Sequence, residues 1–124
     1  MATIAGVIAE VNAVRPNQFT SAQKIRWLSE LDGMIFTGII SRHEGAPETF
    51  SGYDTDADPE TALLAVAPHD IIYRHYLTAQ IDLANQELIR YNNTSRLFNE
   101  AFQEFRAWYT RSHMPLQPAT HFKL

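Results

Sequence analysis

The 124-residue chain contains no cysteine. That excludes a disulfide framework, a thiolate nucleophile and a cysteine-ligated zinc, and it fits a reducing compartment. Long apolar runs are missing too. The longest, Met34 to Ile40, is interrupted by Thr37 and Gly38 and falls far short of the roughly 20 residues that span a bilayer, so no membrane partner is expected. There is no block of Lys and Arg, and the formal net charge is −4; any DNA is expected to pass nearby without specific binding. Met1 to Gly6 has no basic region ahead of an apolar core, so no secretory signal is predicted. HExxH, GxSxG, a Gly-rich phosphate loop and a Cys/His pair are all absent, leaving no motif for catalysis, metal or cofactor. The chain therefore reads as no enzyme, with no cofactor and no catalytic, cofactor-binding or metal residues.

What is present is one domain's worth of helical pattern, residues 1–124, with 45% hydrophobic content to build a core. Thr3 can cap a first helix over about 3–14, with Ile4, Val7, Ile8, Val11 and Val14 at helical spacing and Pro16 as the stop. Thr20-Ser21-Ala22-Gln23 matches a capping box ahead of Ile25, Leu28, Leu31, Ile35, Phe36, Ile39 and Ile40, predicting a second helix over about 21–41. Residues 34–40 also fit a strand following an Asp32-Gly33 turn, but the stripe stays in phase across Gly33, which favours helix. Between Glu44 and Ala67 the period disappears under Gly45, Pro47, Gly52 and Pro59 and six carboxylates. This reads as an irregular, extended excursion with room for short β pieces at Thr49 to Tyr53 and Ala62 to Val66.

Asp70 is the expected N-cap of a third helix over about 70–85, with Tyr73, Leu77, Ile81 and Ala84 on one stripe and Ile72, Tyr76, Ala79 and Leu83 on the next. So broad an apolar face predicts burial from two sides. The fourth helix, about 87–112, carries Leu88, Tyr91, Ser95, Phe98, Phe102, Phe105 and Tyr109 in phase, with Ala101 and Trp108 beside them. That phase places the interhelical turn near Asn85-Gln86 and predicts that the aromatic arm forms the core, Phe102 included. Residues 113–124 are expected to be an extended tail. The fold class is thus mainly α: a small helical bundle with a long C-terminal hairpin and the excursion between its second and third helices.

Each cluster that suggests chemistry has a plainer explanation. Asp54, Asp56 and Asp58 mimic the opening of a calcium loop, but Pro59 stands where the turn needs Gly and Ala65 where it needs Glu. A solvated acidic loop is expected. His43, His69, His75, His113 and His121 have no compact ligand spacing, and His69 and His75, six apart, fall on different helix faces. Asn92-Asn93-Thr94 and Asn93-Thr94-Ser95 fit a glycosylation pattern that matters only in a secreted eukaryotic chain. The hairpin aromatics, at strict helical spacing, read as packing and not as a stacking platform.

Taken together, WLSELDGMI at Trp27 to Ile35, SRHEG at Ser41 to Gly45, YLTAQIDLANQELIRYNN at Tyr76 to Asn93, LFNEAFQEF at Leu97 to Phe105 and WYTRSHMP at Trp108 to Pro115 resemble a family of head-tail connector, or adaptor, proteins of tailed bacteriophages and prophages. Members commonly carry Asn-Gly at the hairpin turn, where this chain has Asn85-Gln86. The resemblance implies a noncatalytic structural protein of the virion neck, present in the host bacterial cytoplasm before assembly. In that role it would form a homo-oligomeric ring beneath the portal protein and link it to tail-completion proteins. The alternative is a small helical interaction module of prophage origin that binds a regulatory protein.

Overall fold

A computed structural model describes residues 2–116. Four helices make the architecture: α1 (Ile4–Val14), α2 (Ser21–Gly38), α3 (Ile71–Ala84) and α4 (Leu88–Ser112), with a 3-10 turn at Ile40–Arg42 directly after α2. The sequence-encoded caps at the first two N-termini are made. The Gly6 amide donates to Thr3 Oγ1 and the Gln23 amide to Thr20 Oγ1, each at 3.1 Å, satisfying donors that a helix start leaves open. α2 stays helical through Gly38 and then tightens, so the expected single helix to residue 41 is broken at Ile39.

Two expectations about α3 and the segment before it are corrected. Asp70 occupies the cap position but has helical backbone angles, and its side chain makes no cap hydrogen bond. Instead the helix is led in by a tight turn, His69 amide to Val66 carbonyl at 2.8 Å and Ile72 amide to His69 carbonyl at 3.3 Å. The expected extended excursion with short β pieces is not there. The chain is a small all-helical bundle, and among the described residues there is no strand, only two isolated bridges, Thr3 with Ala62 and His43 with Pro115.

Residues 44–67 wrap onto the helices. Leu63 and Ala65 are buried, and Ala46, Tyr53 and Ala57 pack against the core. A strand needs a partner ladder, and here the segment's polar backbone is used on helix ends. The Ile4 amide donates to the Thr61 carbonyl (3.1 Å), the Ala5 amide to the Pro59 carbonyl (3.0 Å) and the Leu63 amide to the Ala2 carbonyl (3.0 Å), so the segment completes the N-terminus of α1.

The core lies among α1, α2 and α3, with Val7, Val11, Leu28, Leu31, Ile35, Ile72, Tyr73, Leu77 and Ile81 buried. α3 is its axis, packed by α1, α2 and α4, whereas the α4 backbone approaches α3 alone among the helices. That overturns the expectation that the aromatic arm is the core. Of the α4 stripe only Phe105 is fully buried, at 1% exposure, joined by Thr94 from outside the stripe. Tyr91, Phe98, Phe102, Trp108 and Tyr109 are half-buried, and Leu88 is 60% exposed.

The hairpin turn falls at Asn85-Gln86, with Gln86 at φ +60. Asn85 closes α3 through its amide to the Ile81 carbonyl at 3.0 Å. At the other end, the described part of the tail lies along residues 42–44. The Glu44 amide donates to the Met114 carbonyl at 2.8 Å and the Leu116 amide to the Arg42 carbonyl at 3.0 Å. The rest of the expected tail, 117–124, lies outside the described residues.

Candidate functional site

Two buried aspartates are the most demanding groups in the molecule, because a carboxylate out of water needs donors to replace its hydration. Asp32, on the buried face of α2 between Leu31 and Ile35, is fully enclosed. It accepts from Tyr53 Oη (2.5 Å), Tyr73 Oη (2.7 Å) and the Leu64 amide (3.1 Å). Burial pushes its carboxyl above the ordinary value, and the three hydrogen bonds pull partly back. Burial beside Asp32 raises both tyrosines. Tyr73 Oη in turn accepts the Ala65 amide at 2.6 Å, so the cluster ties α2, α3 and residues 53–65 into one knot.

Asp82 on α3 is the second. Arg15 Nη1 lies 2.6 Å from its Oδ1, and Thr94 Oγ1 donates to its Oδ2 at 3.1 Å, which fastens the end of α1 and the middle of α4 to α3. Sequence reasoning passed over both aspartates. The available signal was their helical phase: Asp32 falls within the Leu28, Leu31, Ile35 face and Asp82 beside Ile81 and one turn after Thr78. A carboxylate on a buried face implies a partner set. With their acceptor positions occupied from within, these groups fasten the fold and offer no free base.

The structure separates the calcium-like residues from any site. Asp58 spends Oδ1 on the Glu60 amide (2.9 Å), and the Asp54 carbonyl takes the Ala57 amide (2.9 Å) in a tight turn. Among the described residues no three His, Asp or Glu side chains converge as a metal site would require. The histidines, scattered in sequence, are in part brought together. His43 is buried, its Nδ1 2.7 Å from the Ile39 carbonyl oxygen, and its ring meets Tyr109 edge-on at 5.1 Å. His113 stacks on Tyr109 at 3.7 Å, and His69 packs on Trp108 at 5.0 Å. This is aromatic packing that seats the end of α4. His75 stands apart on α3; burial, then the Arg74 charge, lowers it, with Glu10 opposing. His121 lies outside the described residues.

What remains open is an apolar surface. A groove between α2 and α3 is lined by Glu30, Gly33, Met34, Thr37, Gly38 and Tyr76. Tyr76 is also a wall of a second depression, with Ala79, Gln80, Tyr91, Ser95, Phe98 and Asn99, between α3 and α4. Gly33 and Gly38 leave open space where a Cβ would stand, and Met34 is 55% exposed. Tyr76 and Phe98 meet at 5.2 Å, and Phe98 and Phe102 at 5.4 Å. Further along α4, Ile89 is 80% exposed and Leu97 is also exposed. The two depressions joined at Tyr76 place apolar side chains of three helices on one accessible face, a feature more typical of a protein-binding surface than of a reaction site.

Compared with protein families, curated proteins and solved structures, the chain matches none of them. The bacteriophage, prophage, virion, neck and ring descriptors implied by the sequence resemblance therefore have no matching relative behind them and are withdrawn as descriptions of this chain; what stands is a small all-helical bundle.

Proposed function

We propose that the chain is a noncatalytic structural adaptor that works by binding other proteins. The observation that carries this reading is the apolar face running from Met34 across Tyr76 to Phe98, with exposed Ile89 and Leu97 further along α4. Its aromatic and methionine side chains are of the kind enriched at the centre of protein interfaces. The buried carboxylates, by contrast, are committed to internal partners. The specific form of the adaptor, a head-tail connector that links a portal protein to tail-completion proteins, rests on the residue resemblance between Trp27 and Pro115 alone.

Co-expression with the cognate portal protein, followed by electron microscopy of the purified complex, tests it. A stable complex is expected, and Met34→Glu and Leu97→Glu should each weaken it while leaving the circular dichroism spectrum unchanged. Failure of the unaltered chain to bind the portal removes the connector form. Undiminished binding by both variants removes the exposed apolar face as the contact.

A further inference from the structure

Lys24 is a lysine with only 3% of its surface exposed, and among the described residues no carboxylate forms an ion pair with it. Its Nζ donates to Asn12 Oδ1 at 2.8 Å, an oxygen that also takes Asn17 Nδ2 at 3.1 Å. An ammonium carries three donors, and one shared amide oxygen replaces little of its hydration. Burial accordingly pushes the ammonium below the ordinary lysine value.

Beside this group lies a cavity of about 350 Å³ between α1, α2 and residues Ala57 to Pro59, a size within the range of small-molecule sites. Ile4, Ile8, Ile25 and Pro59 form its apolar walls, and Asn12 and Ser21 its polar end. Ile4, Ile8 and Asn12 follow one another at four-residue steps along one face of α1, a length of roughly 12 Å. The slot is therefore hydrocarbon-lined over most of its length and ends at the amide that holds the uncompensated cation.

We propose that this cavity binds a small apolar monocarboxylate, with its carboxylate paired to Lys24 Nζ beside Asn12 and its hydrocarbon body lying along Ile8 and Ile4 beneath Pro59. The anion supplies the counter-charge that the fold omits, and a charge-assisted pair in a partly dry site is stronger than the neutral amide contact it joins. The site is separate from the apolar face assigned to protein binding, being built on α1 and the opposite end of α2.

The test is calorimetric titration of the full chain at neutral pH with sodium octanoate and, as an uncharged probe of the same length, 1-octanol. Octanoate should bind one to one and at least about tenfold more tightly than octanol. Lys24→Met, which keeps the buried stem, should abolish that preference, and Ala9→Met, which narrows the slot with Lys24 in place, should weaken both probes. An NMR titration should show the Lys24 ammonium moving to a higher pKa when octanoate is added. Absence of octanoate binding at millimolar concentration, or equal affinity for the two probes, overturns the proposal using the unaltered chain alone. Unchanged octanoate affinity in Lys24→Met overturns it as well.

Discussion

At the scale of single residues, Asp32 and Gln86 show how much of this fold depends on groups that pattern reading ranks as ordinary. Tyr73 Oη serves Asp32 and the Ala65 amide at once, so Tyr73→Phe strips one donor from a buried carboxylate and orphans a buried amide. A loss of about 1–3 kcal/mol is expected in urea unfolding, whereas Tyr53→Phe, which orphans no amide, should lose less. Gln86 sits at φ +60, where a side chain is strained by about 1–2 kcal/mol and glycine is not. Gln86→Gly should therefore stabilise the chain by about 0.5–1 kcal/mol after the extra chain entropy of glycine is counted; a lower melting temperature would show that the turn is held by contacts and not by backbone preference. Gly52 is the converse case, with φ +88 and Ser29 Oγ only 2.7 Å from where its Cβ would be, leaving no room for a side chain.

Among the elements, α4 has the strongest aromatic pattern and the least burial. It lies on α3 alone among the helices, and most of its stripe is shared between α3 and the surface. Truncation should sort along that line. Phe105→Ala is expected to lose about 3–5 kcal/mol as a fully buried aromatic. Phe102→Ala should lose clearly less, because Phe102 is half-buried beneath Arg106, whose guanidinium lies 5.7 Å from the ring centre. Thermal melting of the two variants measures the difference, and equal losses would mean that α4 is more deeply seated than its exposure shows. Residues 44–67 are the opposite case, irregular in pattern yet tied down by α1 amides and by Asp32. A segment held by hydrogen bonds and a few apolar anchors needs no periodicity.

For the molecule as a whole, the Asp32 knot predicts a sensitivity to alkali. Tyr53 and Tyr73 are both raised in the folded chain, burial being the first cause and Asp32 the second. Unfolded tyrosines release their protons near pH 10, so the folded state retains two protons that the unfolded state loses. Stability from this source is fully present below the ordinary tyrosine value and falls as pH rises above it, by about 1.4 kcal/mol per pH unit for each tyrosine. Urea unfolding between pH 9 and 11 should show that decline, and Tyr53→Phe should reduce its slope by about one proton. An unaltered slope in the variant would place Tyr53 outside the folded core.

From sequence alone, the apolar periodicity, the Thr3 and Thr20 caps and the Asn85-Gln86 break together determine that four helices form and roughly where they begin and end, because those signals are local and act within a turn of helix. Periodicity reports which side of a helix is apolar and not how deeply that side is covered. Only the tertiary structure decided that α3, not α4, is the axis, that Phe105 is enclosed while Leu88 is bare, and that residues 44–67 close over the core without a strand. The knots on Asp32 and Asp82 and the cavity beside Lys24 were likewise beyond the pattern, since each joins residues tens of positions apart. Side-chain partners at that separation are chosen by the packing of whole helices, and the proximity that makes a buried charge tolerable or a cavity selective exists only once they have packed.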